Sequence, residues 1–453
     1  MSRRHSRNTL LAGLLTEANI SAAELARDVN RLAAAEGVPL RYDRTTVAHW
    51  LSGSKPRGPV PELVAEALTR RTGRPISVEE TGLTQDFQIS TEGGQRNVLQ
   101  DLVVLARTDA DPARRVTLLQ SVFRHRSIPS VVQAYQSVAP IRRSAQVTVA
   151  DVERLRFVIS QFVAGWYRYG GGHVRSALAS CLGDDIGRLL MHPAPPAVRA
   201  ELLSATAQLT HMLGDMSADV GYQGLAQRYY LLALDTAAEA GDRQTRAITL
   251  RAMSVQAVRM EAYRYAADLA DAAVTAGVPS NSGHVQSFVL VQRAHVRALL
   301  GDRDNAYHDL DMAERALDRA GNRQGAFSCY PRAGFAYRQG QTLHRLGDTR
   351  PALHALRHAA AERSAHEHRL RAFSQVRVAL VLLEQGHVEE ACVHGALFVE
   401  EYPFLCSRRS TLALRELRAQ LTPFRRILAA AALLARISSL TSATEVVQHS
   451  PGA

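Results

Sequence analysis

Lysine is nearly missing from this chain of 453 residues. Of its 54 basic side chains only Lys55 is a lysine, and the rest are arginines. That bias matches a high-GC coding sequence, so an arginine by itself says little about chemistry. Cysteine is scarce too. The four present, Cys181, Cys329, Cys392 and Cys406, form no CxxC pair. They indicate neither a disulfide framework nor a cysteine-based zinc site, and they fit a reducing compartment. Near the C-terminus the longest uninterrupted apolar run, Ile427 to Ala435, has nine residues, whereas a membrane span needs about 20. Arg3, Arg4 and Arg7 are followed by only a short apolar stretch, with no signal-peptide core. These absences predict a soluble, cytoplasmic protein with no membrane partner; DNA binding of the kind considered below would make it nucleoid-associated. Strand-type alternation of Val, Ile and Thr is rare. No Walker-type loop, nucleophile elbow, HExxH or GxGxxG after a strand is found, so no enzyme, cofactor or metal is expected.

What is present is helix-forming. Hydrophobic residues make up 46% of the chain, and alanine, leucine and arginine, all good helix formers, dominate. An all-α fold follows. The net charge of +11 and the pI near 9.9 favour a polyanionic partner. Residues 1–83 read as one unit. The polar stretch Thr84 to Asn97, with Gly93-Gly94, reads as a linker. Residues 98–440 read as a helical array and 441–453 as a disordered tail.

Within the array, turns recur with similar flanks: RALLGDRDNAYHDLDMAERAL, HRLGDTRPALHALRHA and LLEQGHVEEACVHGALF. Their glycines Gly301, Gly347 and Gly386 are 46 and 39 residues apart, and each is followed five residues later by an alanine, Ala306, Ala352 and Ala391. This resembles the tetratricopeptide (TPR) pattern, whose ideal period is about 34 residues. HMLGD, ending at Asp215, reads as an earlier member.

In the N-terminal unit a first helix covers about Asn8 to Ala18. Ser21 and Glu24 form a capping box for a second helix, whose Ala22, Leu25, Ala26, Val29 and Leu32 share a face. Gly37 and Pro39 stop it. Asp43 caps a short third helix, RTTVAHWLSG, with Val47, Trp50 and Leu51 inward and Gly53 at its end. Pro59 and Pro61 open a fourth. ELARDVN, the short capped helix and the W-x-x-G-x-x-P of Trp50, Gly53 and Pro56 together resemble the Cro/repressor type of helix-turn-helix. In that fold the short helix enters the major groove. The resemblance places Arg44, Thr45, Thr46, Ala48 and His49 at base edges, and Arg41, Lys55 and Arg57 at phosphates. The turn before the third helix, EGVPLRY, is longer than the usual four or so residues and leaves its docking angle open. Residues 1–75 carry 12 basic and 7 acidic side chains, a net of +5.

The likeness extends along the chain. RYGGGHVRSAL, SATAQLTHMLGDMSADVGYQGLAQRYYLLAL and AMSVQA, together with the N-terminal motifs, resemble the actinobacterial helix-turn-helix plus TPR regulators that include a Streptomyces negative regulator of differentiation. That resemblance implies a repressor of sporulation and antibiotic production, bound to double-stranded DNA. The array is expected to form a homodimer, because a single recognition helix reads few bases. Its concave face can take a peptide, small-molecule or protein effector. The alternative is a TPR adaptor that binds proteins and does not read DNA.

Three smaller features stay open. Gly171, Gly172, His173 and Arg175 can cradle an anion at a helix start or form a tight interhelical turn. His354 and His358 have zinc-compatible spacing or lie on a solvated face. Trp166, Tyr167 and Tyr169 are a stacking platform or helix-packing aromatics.

Overall fold

A computed structural model describes residues 7–83, 97–119, 121–128, 146–278, 282–321 and 327–448. The elements in it are helical, with no strand among the described residues. Most of the segment expected to be a linker, residues 84–96, lies outside the described residues, as do 449–453.

The N-terminal unit holds α1 (Thr9–Glu17), α2 (Ala22–Ala35), α3 (Arg44–Leu51) and α4 (Val60–Thr72). Local chemistry sets the boundaries. Ser21 and Glu24 exchange both capping-box hydrogen bonds at the start of α2. Asp43 accepts from the Thr46 N–H at 2.9 Å and so caps α3. Gly53 and Gly73 take positive φ after α3 and α4, where a Cβ would be strained. Leu11, Leu25, Val29, Val47, Trp50 and Leu63 close one apolar core.

The long turn before α3 is held by one side chain. Asn30 on α2 donates to the Tyr42 carbonyl and accepts from the Tyr42 N–H, both at 2.8 Å. The Tyr42 ring then meets Trp50 edge-on at 5.4 Å. A turn that long would otherwise leave its backbone groups without partners and its exit direction unfixed.

After α5 (Val98–Ala110) and α6 (Pro112–Leu119) come α7 (Val149–Tyr169), α8 (Gly171–Cys181) and the short α9 (Gly187–Leu190). Five hairpins follow. They are α10 (Pro196–Asp219) with α11 (Gln223–Glu239), α12 (Arg243–Arg259) with α13 (Tyr263–Gly277), and α14 (Gly283–Leu299) with α15 (Arg303–Asp318). Next are α16 (Arg332–Arg345) with α17 (Thr349–Ala361), and α18 (His368–Glu384) with α19 (Val388–Glu401). The chain continues into α20 (Arg408–Leu421) and α21 (Leu428–Gln448). Helix thus runs on through residues 441–448, within the stretch 441–453 expected to be a disordered tail.

Each hairpin turns on one residue with positive φ: Gly221, Glu261, Gly301, Gly347 and Gly386. Five residues after each comes an alanine with no exposed surface: Ala226, Ala266, Ala306, Ala352 and Ala391. The small side chain lets the two helices of a hairpin approach closely, and stacking such hairpins gives a solenoid. One expected turn is absent. Gly214 of HMLGD lies inside α10, where a Cβ would come within 2.7 Å of the Tyr230 ring. It is a close-packing glycine, and the turn of that hairpin is at Gly221.

The solenoid closes on itself. α7 packs against α18. The Cys406 N–H donates to the Tyr169 carbonyl and the Gly172 N–H to the Cys406 carbonyl, both at 2.9 Å. Arg369 on α18 pairs with Asp219 on α10 at 2.8 Å. The concave face therefore bounds an interior rather than an open groove.

A strap, Ser121 to His125, joins the two parts. The N–H groups of Phe123 and His125 donate to Glu36 and Glu66 of the N-terminal unit, each at 2.8 Å. Between them, the Arg124 backbone exchanges two hydrogen bonds with the Gln227 side chain on α11, at 3.0 and 2.6 Å. Val122 sits in the N-terminal core and Phe123 in that of the array.

Candidate nucleic-acid interface

Helix α3 is two-sided. Val47 and Trp50 are buried, Leu51 is partly so, and Arg44, Thr45, Ala48 and His49 are exposed. Arg41 just before it, and Lys55 and Arg57 just after, are exposed as well. The face left in solvent is thus polar and basic, and among the described residues α3 packs chiefly against α1 and α2 of its own unit. Thr46 differs from its neighbours. It is half-buried, and its hydroxyl donates to Asp43 at 2.9 Å, so it positions the helix start.

Hydrogen bonds from the Thr46 N–H and hydroxyl hold the Asp43 carboxyl below its ordinary range. Asp43 therefore stays ionised and complements the helix N-terminus. It offsets part of the cationic charge of Arg41 and Arg44. Behind the helix, the Asn8 N–H donates to the Leu51 carbonyl at 2.9 Å, tying α1 to the end of α3. Sequence reasoning missed Asn30, the residue that fixes the turn. Its signal was faint: an amide-bearing side chain inside a helix that precedes an overlong loop.

The loop at Gly170 has a different use from an anion cradle. The Gly171 N–H donates to the Asp219 carboxylate at 3.0 Å, and the Gly172 N–H is taken by Cys406. A Cβ on Gly171 would stand 2.5 Å from the Met216 carbonyl oxygen. Arg175 is buried and grips Asp109 through two contacts at 2.7 and 2.6 Å. His173 lies edge-on to Tyr169 at 5.4 Å. Carboxylates of the chain itself fill the place an anion would take, so the reading of Gly171, Gly172, His173 and Arg175 as an anion site gives way to close helix packing. His354 and His358 are exposed, with His358 at 3.6 Å from Glu362. Trp166 and Tyr167 line the interior cavity of the array.

Residues 11–84 are similar to the family described as the SP15 N-terminal domain. The matched stretch coincides with the unit that carries α3. No curated protein matches the chain.

Proposed function

We propose that the protein is a sequence-specific, DNA-binding transcription regulator in which α2 and α3 form a helix-turn-helix of the Cro/repressor kind. The observation that carries this reading is the solvent-facing, basic side of a short capped helix whose approach is clamped by Asn30. Arg44, Thr45, Ala48 and His49 are the base-facing set. Arg41, Lys55 and Arg57 flank it at phosphates. The TPR-like array pairs two copies, so that two α3 helices read two half-sites, and it receives an effector. The family resemblance adds repression of development or secondary metabolism as the biological setting.

Fluorescence anisotropy of the full chain on genomic promoter fragments tests the proposal. Specific binding is expected, with log affinity falling against log salt by about 0.9 per phosphate contacted. Arg44→Ala or His49→Ala is expected to cost about 1–3 kcal/mol on the preferred fragment and less on random duplex. Arg57→Ala is expected to weaken both alike. A chain that binds every fragment equally, or none, is not a sequence-specific regulator.

A further inference from the structure

We propose that the interior of the closed array is a binding site for a small nucleotide-like anion, a planar ring carrying a phosphate group. The proposal rests on the reading above that the array receives an effector, and it names the chemistry of that effector.

The cavity measures about 220 Å³, many times the roughly 10–15 Å³ that one water requires. It is lined from α7, α10, α12, α16, α18 and α20. Its wall is unusual in charge. Arg251, Arg338, Arg363 and Arg409 all line it, and no ion pair joins any of them to a carboxylate among the described residues. A fifth arginine of the wall, Arg369, is paired with Asp219, and inward-facing arginines elsewhere in the protein have such partners too: Arg175 with Asp109 and Arg293 with Asp309. Two acids do line the cavity, and both are engaged. Asp215 accepts from the Tyr230 hydroxyl at 2.6 Å and lies 3.5 Å from His211. Glu367 accepts from the Ser364 N–H at 3.2 Å. The wall therefore keeps an excess of positive charge.

The orphaned polar atoms have the same sense. Buried atoms of the wall without a hydrogen-bond partner include Tyr330 Oη, Trp166 Nε1, and Nε of Arg251, Arg363 and Arg369. Every one bears a hydrogen to donate. A buried donor without an acceptor is costly, so the occupant that suits this wall is rich in acceptors. Burial, with the charges of neighbouring guanidinium groups such as Arg251, pushes Arg338 down, and burial together with Arg259 does so for Arg409. Guanidinium groups nonetheless stay protonated at neutral pH. The mutual repulsion is relieved by a bound anion, and guanidinium forks match phosphate oxygens in pairs.

The ring is argued from the aromatic share of the wall. Trp166, Tyr167, Phe288, Phe327, Tyr330 and Tyr337 face the cavity. Arg251 already stacks on Phe288, at 3.9 Å from the ring centroid. A planar base can enter such stacks, whereas a bare ion leaves the aromatic surface unused. An extended peptide needs a groove open along its length, and the closure of α7 on α18 removes one.

The test uses full-length protein without DNA, titrated calorimetrically with AMP, inorganic phosphate and adenosine, with melting curves in parallel. AMP is expected to bind and raise the melting temperature. Phosphate is expected to bind at least about tenfold more weakly, a 1.4 kcal/mol difference, and adenosine not measurably. Arg338→Met and Arg251→Met are expected to weaken AMP at least tenfold while leaving the unliganded melting temperature unchanged or higher, because an unpaired buried charge has been removed. A purely structural role for these arginines would lower that temperature instead. Affinity for AMP weaker than about 1 mM, equal binding of adenosine, equal binding of phosphate, or undiminished binding by both variants overturns the proposal. AMP binding by a protein that ignores DNA upholds the cavity and fails only the DNA reading.

Discussion

Asp109 has no exposed surface and four contacts to satisfy it. Arg175 reaches both of its carboxylate oxygens, the Tyr229 hydroxyl donates to it at 2.8 Å, and Arg115 lies 3.2 Å away. Removing the acid leaves a buried guanidinium without its counter-charge. Asp109→Ala is therefore expected to destabilise the fold by about 3–5 kcal/mol, read from urea denaturation. Glu36 carries a second prediction. Burial pushes its carboxyl up to about 7 from an ordinary 4.5, Glu66 adds to the rise, and the Phe123 N–H, Arg408 and Arg70 oppose it. A raised acid pKa means that the fold favours the protonated form. Its contribution to stability is full below the unfolded value and is lost as pH climbs through about 7. The strap joint is expected to exchange its amide hydrogens with less protection at about pH 8 than at about pH 5, after correction for intrinsic rates. Glu36→Gln should flatten that difference. Among single residues, the caps Ser21 and Asp43 were legible in the sequence because a cap acts three residues away. The Asp109–Arg175 pair spans 66 positions, and nothing in either neighbourhood announces the other.

At the scale of elements, the hairpin turns show what a pattern can and cannot carry. A glycine followed by an alanine five residues on marked three turns correctly, because the glycine supplies a left-handed backbone and the alanine a close contact. The turn at Glu261, with φ of 57°, was missed because a glutamate does there what glycine does elsewhere. HMLGD misled for the converse reason: a glycine also serves where two helices touch, and Gly214 touches Tyr230. The strap was not legible either, since it holds no secondary structure and its partners lie 59 to 103 residues away. It rests on Gly224 of α11, where a Cβ would collide with the Ser121 carbonyl. Gly224→Ala should cost about 1–3 kcal/mol and speed hydrogen exchange at Phe123 and His125, leaving the distant α18–α19 hairpin unaffected. Unchanged exchange at those two amides would mean that the strap is not seated as described.

For the whole molecule, the helical class, the array and the exposed face of α3 could be read in advance from composition, periodicity and caps. The closure of the array could not, because it depends on contacts between α7 and the last hairpin, more than 150 residues apart in sequence. That closure turns the expected groove into a cavity. It also gathers arginines that looked unremarkable in a chain full of them.

Val122 is lodged like a peg in the core behind α3, while its neighbour Phe123 is lodged in the array. The N-terminal unit, the proposed reader of DNA, is thus pinned to the array through adjacent residues of one strap. In a dimer built on the array, the distance between the two N-terminal units becomes a fixed dimension of the pair. Inserting about half a helical turn, roughly 5 base pairs, between half-sites would rotate one of them to the far side of the duplex. Such an operator is expected to be refused rather than accommodated, and gel-shift competition against the unaltered site measures the refusal.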